Sequence, residues 1–399
     1  MKLKRHHIII FTIFILYGLN YTIFERIFFF NEVLALVGFI LFLKNTFSAR
    51  FTLKIPKSAI WKILLVFWGI CLIHLLTSVL YKTNWYYYLR NSVIFYASFV
   101  FFVGFYWKDY FKIFLQKVIV WLKAIIFIPL FLRLHSVLDR FAISIFFPFF
   151  FRKLSYSTAF ILLSLNFLYA FLFSSMTAAM VGCFLFVILL IRHYALIRLV
   201  LIVLIVVFWG LIAFFSPSLQ LYREDSKSTN LFGNVDKVLQ DNVLLRIDGN
   251  STWRLILWYR LTVDEFPRNI WGLGFGTPLI PYKKGADTAD SDYNDEHDAH
   301  VIGAHNTYVT LLARLGILYI FVLYGIYTIV FKEFYRFRAY YVAHQEYSFF
   351  IAFFTISIIG LFNLVLESPI YAGLYWFFLG TVAKSIFNRQ FANESSANS

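Results

Sequence analysis

The chain has 399 residues, 61% of them hydrophobic, 22% aromatic and 14% charged; a water-soluble domain carries about 25% charged residues, so a soluble globule is excluded. Its apolar residues form continuous runs of spanning length rather than an alternating pattern, which excludes a β-barrel and selects membrane-crossing helices. The net charge of +15 gathers at the ends of those runs on one side, so it reports topology and lipid contact rather than nucleic-acid binding.

The opening MKLKRHHIIIFTIFILYGLNYTIF has a basic head and an apolar run, with no small-x-small cleavage site after it. It reads as an uncleaved first span, 8–24. Further spans are predicted over 27–43, 60–80, 91–107, 113–132, 141–151, 156–173, 176–192, 196–215, 306–331, 348–366 and 369–388. The segment 141–151 is short for a crossing and reads as tilted, extended or re-entrant. Charge requires it as a span, because dropping it inverts the arrangement of everything before it. With a cytoplasmic N-terminus, the cytoplasmic segments hold Lys2, Lys4, Arg5, the KNTFSARFTLKIPK loop, Arg152, Lys153, Arg192, Arg198 and the KEFYRFR loop. The short outer loops hold Arg26, Lys82, Arg90, Arg133 and Arg140, which is the positive-inside asymmetry.

The predicted fold class is therefore all-α: a polytopic integral membrane protein with about 12 transmembrane helices (11 to 12), cytoplasmic termini and one large extracytoplasmic loop, 216–304, carrying short helices. Three domains are expected: an N-terminal transmembrane bundle (1–155), a transmembrane domain including the large loop (156–331), and a C-terminal transmembrane hairpin with a polar tail (332–399). Cys71 and Cys183 lie inside apolar runs and read as small core residues, with no disulfide or metal site to argue. No internal repeat of the transporter kind is visible.

The large loop is net acidic and longer than connections usually are without a function. Within it, NSTWRLILWYRLTVDEFPRN reads as a helix, capped by Ser251 or Thr252 and stopped by Pro267. Trp253, Trp258 and the leucines give it an apolar side suited to the headgroup level. Arg254, Trp258 and Leu261 fall on one stripe. Arg254 has the planar fork that phosphate needs; contact with lipid headgroups or an acidic neighbour is the plainer reading, for Arg260 as well. WGLGFGTP follows, with Gly272, Gly274 and Gly276 permitting sharp turns. No strand precedes it and no helix opens from it, so it fails as a nucleotide loop and reads as a structural turn able to line a site. ADTADSDYNDEHDAH carries His297, His300 and the pair Asp290 and Asp292. It lacks the spacing and the glycine of a calcium loop, and reads as a solvated acidic run; no metal and no cofactor are assigned.

GAHNTYVTLLARLG closes the loop. His305 sits where water gives way to the span 306–331, with Asn306 beside it. On a regular helix, Tyr308, Val309, Leu312 and Gly316 share its face, and Gly316 admits a neighbouring helix or a lipid tail. Arg314 projects to the opposite side. An arginine inside a span is costly and a functional candidate, or it pairs with a neighbouring helix. His305 itself suits a general base, a phosphate donor or an interfacial anchor. In the last outer turn, LFNLVLESPIYAGLYWFFLG, Glu367 either orients His305 or caps the turn.

Taken in order, STWRLILW, WGLGFGT and GAHNTYVTLLARLG, in one late outer loop of a many-span protein, resemble the O-antigen ligase and O-antigen polymerase family of bacterial envelope glycosyltransferases. The resemblance covers roughly residues 170–330. It implies an undecaprenyl-diphosphate-linked glycan donor and transfer at the outer face of the cytoplasmic (inner) membrane. The acceptor it implies is lipid A-core in a ligase, or another lipid-linked repeat in a polymerase. The chemistry it implies is inverting and metal-independent. By the same resemblance, Arg254 matches the loop arginine and His305 the histidine, with Trp258, Arg260, Asn306, Arg314, Arg90 and Glu367 as candidate substrate-binding residues around them. The stretch FSSMTAAMVG departs from the family's Ser-Arg-Gly: Met176 or Thr177 stands where that arginine is expected. A second diphosphate ligand then has to come from Arg90, Arg260 or Arg314, which leans slightly toward a polymerase. Membrane lipids and a polysaccharide export machinery are the other partners implied. A transporter or flippase of lipid-linked sugars is the alternative, for which Lys123 and Arg314 would supply charge inside spans. A non-catalytic partner of a polysaccharide machine is the third.

Overall fold

The computed structural model describes residues 12, 30–46, 59–80, 84–131, 142–151, 155–173, 176–200, 202–203, 206, 254, 257–281, 300–301 and 304–397. The principal helices are α1 (Phe30–Thr46), α2 (Ala59–Leu80), α3 (Trp85–Asn91), α4 (Val100–Phe131), α5 (Tyr156–Phe173), α6 (Met176–Leu190), α7 (Thr307–Leu315), α8 (Leu318–Arg336), α9 (Tyr347–Ile359) and α10 (Pro369–Ala397). One short antiparallel pair joins β1 (Ile280–Pro281) to β2 (His300–Val301). The chain gathers into two compact units of non-consecutive segments: residues 1–66, 93–194 and 324–399 in the first, 67–92 and 195–323 in the second. Among the described residues, Ala59–Leu80, Trp85–Ile119, Leu318–Arg336 and Pro369–Ala392 are long and apolar enough to cross a membrane. The protein is thus a helical integral membrane protein.

In the first unit, α4 and α10 meet backbone to backbone. A Cβ placed on Gly104 would lie 2.0 Å from the Phe377 carbonyl oxygen, and one on Gly380 would lie 2.0 Å from that of Phe101. Glycine is what lets helices approach this closely where lipid supplies no hydrophobic drive. Phenylalanines fill the remaining space, with Phe111 edge-on to Phe377 at 4.9 Å and Phe331 stacked on Phe354 at 4.5 Å. Every residue of α9 is buried, as expected of a helix apolar all round.

Five predicted spans need correction. The expected break between 91–107 and 113–132 is absent, and α4 runs unbroken through Lys108–Lys112. No glycine or proline stands between Gly104 and Pro129 to stop it,. Its charges find partners instead: fully buried Lys108 pairs with Glu346, and Lys112 donates to the His344 carbonyl at 2.7 Å. The segment 141–151 is a helical turn, Ala142–Phe146, followed by a 3-10 turn, Phe147–Phe150. It is about 15 Å long at helical rise, half a hydrocarbon core, and packs inside the unit, where Ser348 donates to the Pro148 carbonyl at 3.1 Å. The span 348–366 ends as helix at Ile359, and turns lead to Pro369. The span 306–331 is two helices, α7 and α8, separated at Gly316.

The predictions over 27–43, 60–80, 156–173, 176–192 and 369–388 correspond to α1, α2, α5, α6 and α10. The last carbonyls of α6 are capped from the KEFYRFR stretch. Tyr335 donates to Ile188 at 2.6 Å, and Arg338 donates to Leu189 and Ile191 at 2.8 and 3.0 Å, a basic side chain answering a helix C-terminus. Cys71 and Cys183 are free thiols. The span 8–24 and most of 196–215 lie outside the described residues.

Candidate functional site

The three motifs fall in the second unit, and their local folding follows from a small apolar core. Leu257, Trp258 and Leu261 pack with Leu279, Ala304, Val309 and Ala313, and Leu273 lies against them. The helix expected after Ser251 is present at Arg254 and over 257–259 and widens into a π-helix over Arg260–Glu265. Phe266 closes the wide turn by donating to the Leu261 carbonyl at 2.9 Å. Pro267 stands in the turn that follows; Ser251 and Thr252 lie outside the described residues. The apolar stripe is real, but it faces protein rather than the headgroup layer: Trp258 is 7% exposed and Leu261 1%. Trp258 also donates its indole N–H to the Ala304 carbonyl at 2.6 Å. That bond ties the helix carrying Arg254, one turn earlier, to the residue immediately before His305.

His305 is half-buried and adopts φ 48°, in the left-handed region. A non-glycine residue held there is uncommon, and such strain collects at functional sites. His305 therefore precedes the helix instead of lying on it. The helix starts at Asn306, whose Oδ1 accepts from the backbone N–H groups of Tyr308 and Val309 at 3.0 and 3.2 Å, an N-cap in the usual sense. Asn306 is buried, and its expected role as a substrate ligand meets a side-chain oxygen already engaged. The face drawn from His305 through Val309 and Gly316 does not apply, because the helical register begins one residue later.

Gly316 ends α7 at φ 72°, ψ −167°. A Cβ there would lie 2.3 Å from the carbonyl carbon of Trp271, and one on Gly272, at φ 94°, would lie 2.3 Å from the Arg314 carbonyl oxygen. The glycine-rich turn and the end of α7 thus interlock through their two glycines. What approaches Gly316 is the backbone of Trp271, where a helix or lipid tail was expected.

Much of the backbone of WGLGFGT is engaged. Leu273 and Gly274 donate to the carbonyls of Ala313 and Arg314, both at 2.9 Å. Phe275 donates to Ser78 Oγ at 3.0 Å and accepts from Asn91 Nδ2 at 2.8 Å. Gly276 accepts from the Asn84 N–H at 3.1 Å. Arg314, fully buried, donates from Nη1 to the carbonyls of Gly274 and Thr277, each at 3.1 Å. These N–H groups are not aimed outward as an anion cradle would need, in keeping with a structural turn.

Other predicted site residues divide by position. Arg254 is half-buried; Arg260 opens the π-turn, and its side chain lies outside the described set. Arg90 is exposed on α3, whose first N–H groups Asn84 caps. Glu367 belongs to the first unit, half-buried in the turns before α10. Met176 and Thr177 open α6, where Thr177 Oγ1 accepts from Asn363 at 3.3 Å. The acidic run 286–299 lies outside the described residues, although β1 and β2 pair at its base. Among the described residues, no group of three or more His, Cys, Asp or Glu is placed to hold a metal ion.

Sequence reading missed His74, Ser78 and Asn91. All three lie against the turn: Ser78 and Asn91 bond Phe275, and the His74 ring lies 6.4 Å from that of Phe275. A histidine and a serine one turn apart in an apolar helix were the available signal. What remains for chemistry is a half-buried histidine on a strained turn, and a half-buried arginine one helical turn from the tryptophan that braces it.

Residues 158–324 match the family model described as O-Antigen ligase. No curated protein and no solved structure matches the chain.

Proposed function

We propose, from the membership of residues 158–324 in the O-antigen ligase and polymerase family, that the protein moves a glycan from undecaprenyl diphosphate to an acceptor sugar at the outer face of the cytoplasmic membrane. The observation that supports this reading is the Trp258–Ala304 hydrogen bond, because it joins the helix carrying Arg254 to the residue before His305. The acceptor hydroxyl attacks the anomeric carbon, and the bond from that carbon to the diphosphate oxygen breaks. His305 takes the hydroxyl proton, and Arg254 offsets the negative charge growing on the leaving diphosphate. A single displacement inverts the anomeric centre, and the step needs no metal.

The absent Ser-Arg-Gly at Met176–Thr177 favours a polymerase slightly over a ligase. The acceptor is then another lipid-linked repeat rather than lipid A-core, and a polysaccharide export machinery takes the product. Arg90 and Arg260 are the residues of the same unit left to supply further substrate contacts.

The test is product analysis in cells lacking the native gene, complemented with the intact protein, His305→Ala or Arg254→Ala at matched membrane expression. A polymerase gives long lipid-linked chains with the intact protein and single repeats with both variants. A ligase leaves long lipid-linked chains untransferred in the variants. Full complementation by both variants would show that these residues do not carry the reaction. Repeats trapped on the inner leaflet would make the protein a flippase.

A further inference from the structure

The contacts of Arg314 point to a role that its sequence position does not suggest. We propose that Arg314 is a positioning residue: it latches the glycine-rich turn 271–277 onto α7 and so holds the His305 turn at the far end of that helix. The inference rests on the assignment of His305 to the proposed transfer reaction.

Three observations carry it. First, the guanidinium is fully buried, and a buried cation needs acceptors held in place. Two are supplied by backbone carbonyls three residues apart, Gly274 and Thr277, so one side chain pins both ends of the turn's second half. Secondly, the turn answers with its own backbone, since Leu273 and Gly274 donate to the carbonyls of Ala313 and Arg314. Arg314 is therefore bonded to the turn through main chain and side chain at once. It also lies in the last turn of α7, where a positive charge complements the helix C-terminus. Thirdly, α7 is only 9 residues long, about 13 Å at helical rise. Its N-terminus carries Asn306 and the strained His305. An isolated helix so short is marginal, so its geometry at one end depends on what holds the other. Ala304 N–H donating to Thr310 Oγ1 at 2.9 Å fastens the strained turn back onto the same helix.

Lysine at 314 keeps the charge but loses the planar fork, and methionine keeps bulk without donors. Hydrogen exchange is measured on the intact protein and on Arg314→Met and Arg314→Lys in lipid nanodiscs, reading peptides over 269–277 and 304–310. In Arg314→Met both peptides should exchange about tenfold faster or more, the loss expected when charge-assisted hydrogen bonds are removed, with Arg314→Lys in between. Glycan transfer is assayed in parallel, and should fall in kcat with KM for the lipid-linked donor unchanged. Unchanged protection over 269–277 in Arg314→Met overturns the latch. Loosening there with an unaltered 304–310 peptide overturns the positioning of His305. A raised KM with unaltered exchange makes Arg314 a substrate ligand instead. Should the intact protein transfer no glycan, the functional reading falls, and the two exchange peptides still decide whether Arg314 holds the His305 turn. A misfolded methionine variant would lose protection across the whole chain, and the lysine variant then gives the reading.

Discussion

Replacing Gly316 by alanine should damage the second unit far more than a single methyl group usually does. At φ 72°, ψ −167° the residue occupies a region that is essentially glycine's alone, where another residue costs about 1–3 kcal/mol. The added Cβ would also lie 2.3 Å from Trp271 C, 2.5 Å from Trp271 O and 2.6 Å from Ile270 O. All three are backbone atoms, so relief requires the turn to shift, at about 1–3 kcal/mol more. The sum, about 2–6 kcal/mol, is a large part of a typical stability of about 5–15 kcal/mol. Gly69→Ala is the control: nothing lies within 4 Å of its Cβ, and alanine improves helix propensity by up to about 1 kcal/mol. Thermal unfolding in detergent or nanodiscs, at matched purification yield, should show Gly316→Ala melting several degrees below the parent and Gly69→Ala level with it or slightly above. If the two variants melt together, the interlock between the turn and α7 is not what this geometry says it is.

The buried Lys108–Glu346 pair should behave asymmetrically. Lys108→Met alone strands a buried carboxylate and is expected to cost about 3–5 kcal/mol, while Lys108→Met with Glu346→Leu recovers much of the loss; a double-mutant cycle on unfolding midpoints measures it. Tyr341, between α8 and α9, has its phenol held above the ordinary value of 10.0 by burial and then by the Glu333 carboxylate, to which it donates at 2.9 Å. The folded state binds this proton more tightly than the unfolded one, so the contribution is complete below pH 10 and declines above it. Melting temperature should therefore fall more steeply above pH 10 in the parent than in Tyr341→Phe, and parallel curves would refute the assignment.

Reading the sequence succeeded where a single run of residues decides the outcome. The limits of α2, α5 and α6 follow from continuous apolar stretches with polar residues at their ends, and the structure shifts them little. It failed where the deciding partner is remote. Lys108, Asp109 and Lys112 look like a loop until Glu346, 238 residues away, is seen to take up the first of them. Gly316 looks like a packing notch in a long span, but its conformation is set with Trp271. Among the early spans, 91–107 and 113–132 share one continuous helix, and 141–151 is the short element that its length suggested. At the site, apolar residues of the first and last motifs share one small core, with Leu273 of the second against it. That Arg314 and Asn306 serve the backbone was not legible, because a capping or latching role is a matter of where carbonyls and N–H groups end up.

The small pairing of Ile280–Pro281 with His300–Val301 has an evolutionary consequence. Ile280 pairs with Val301 and Pro281 with His300, so the two flanks of the acidic run stay at a fixed spacing. Closing a longer excursion costs only about 0.6 kcal/mol for each doubling of its length. Insertions and deletions between Pro281 and His300 are therefore expected to leave the turn that holds His305 in place. An affinity tag for purification belongs at this point in the chain.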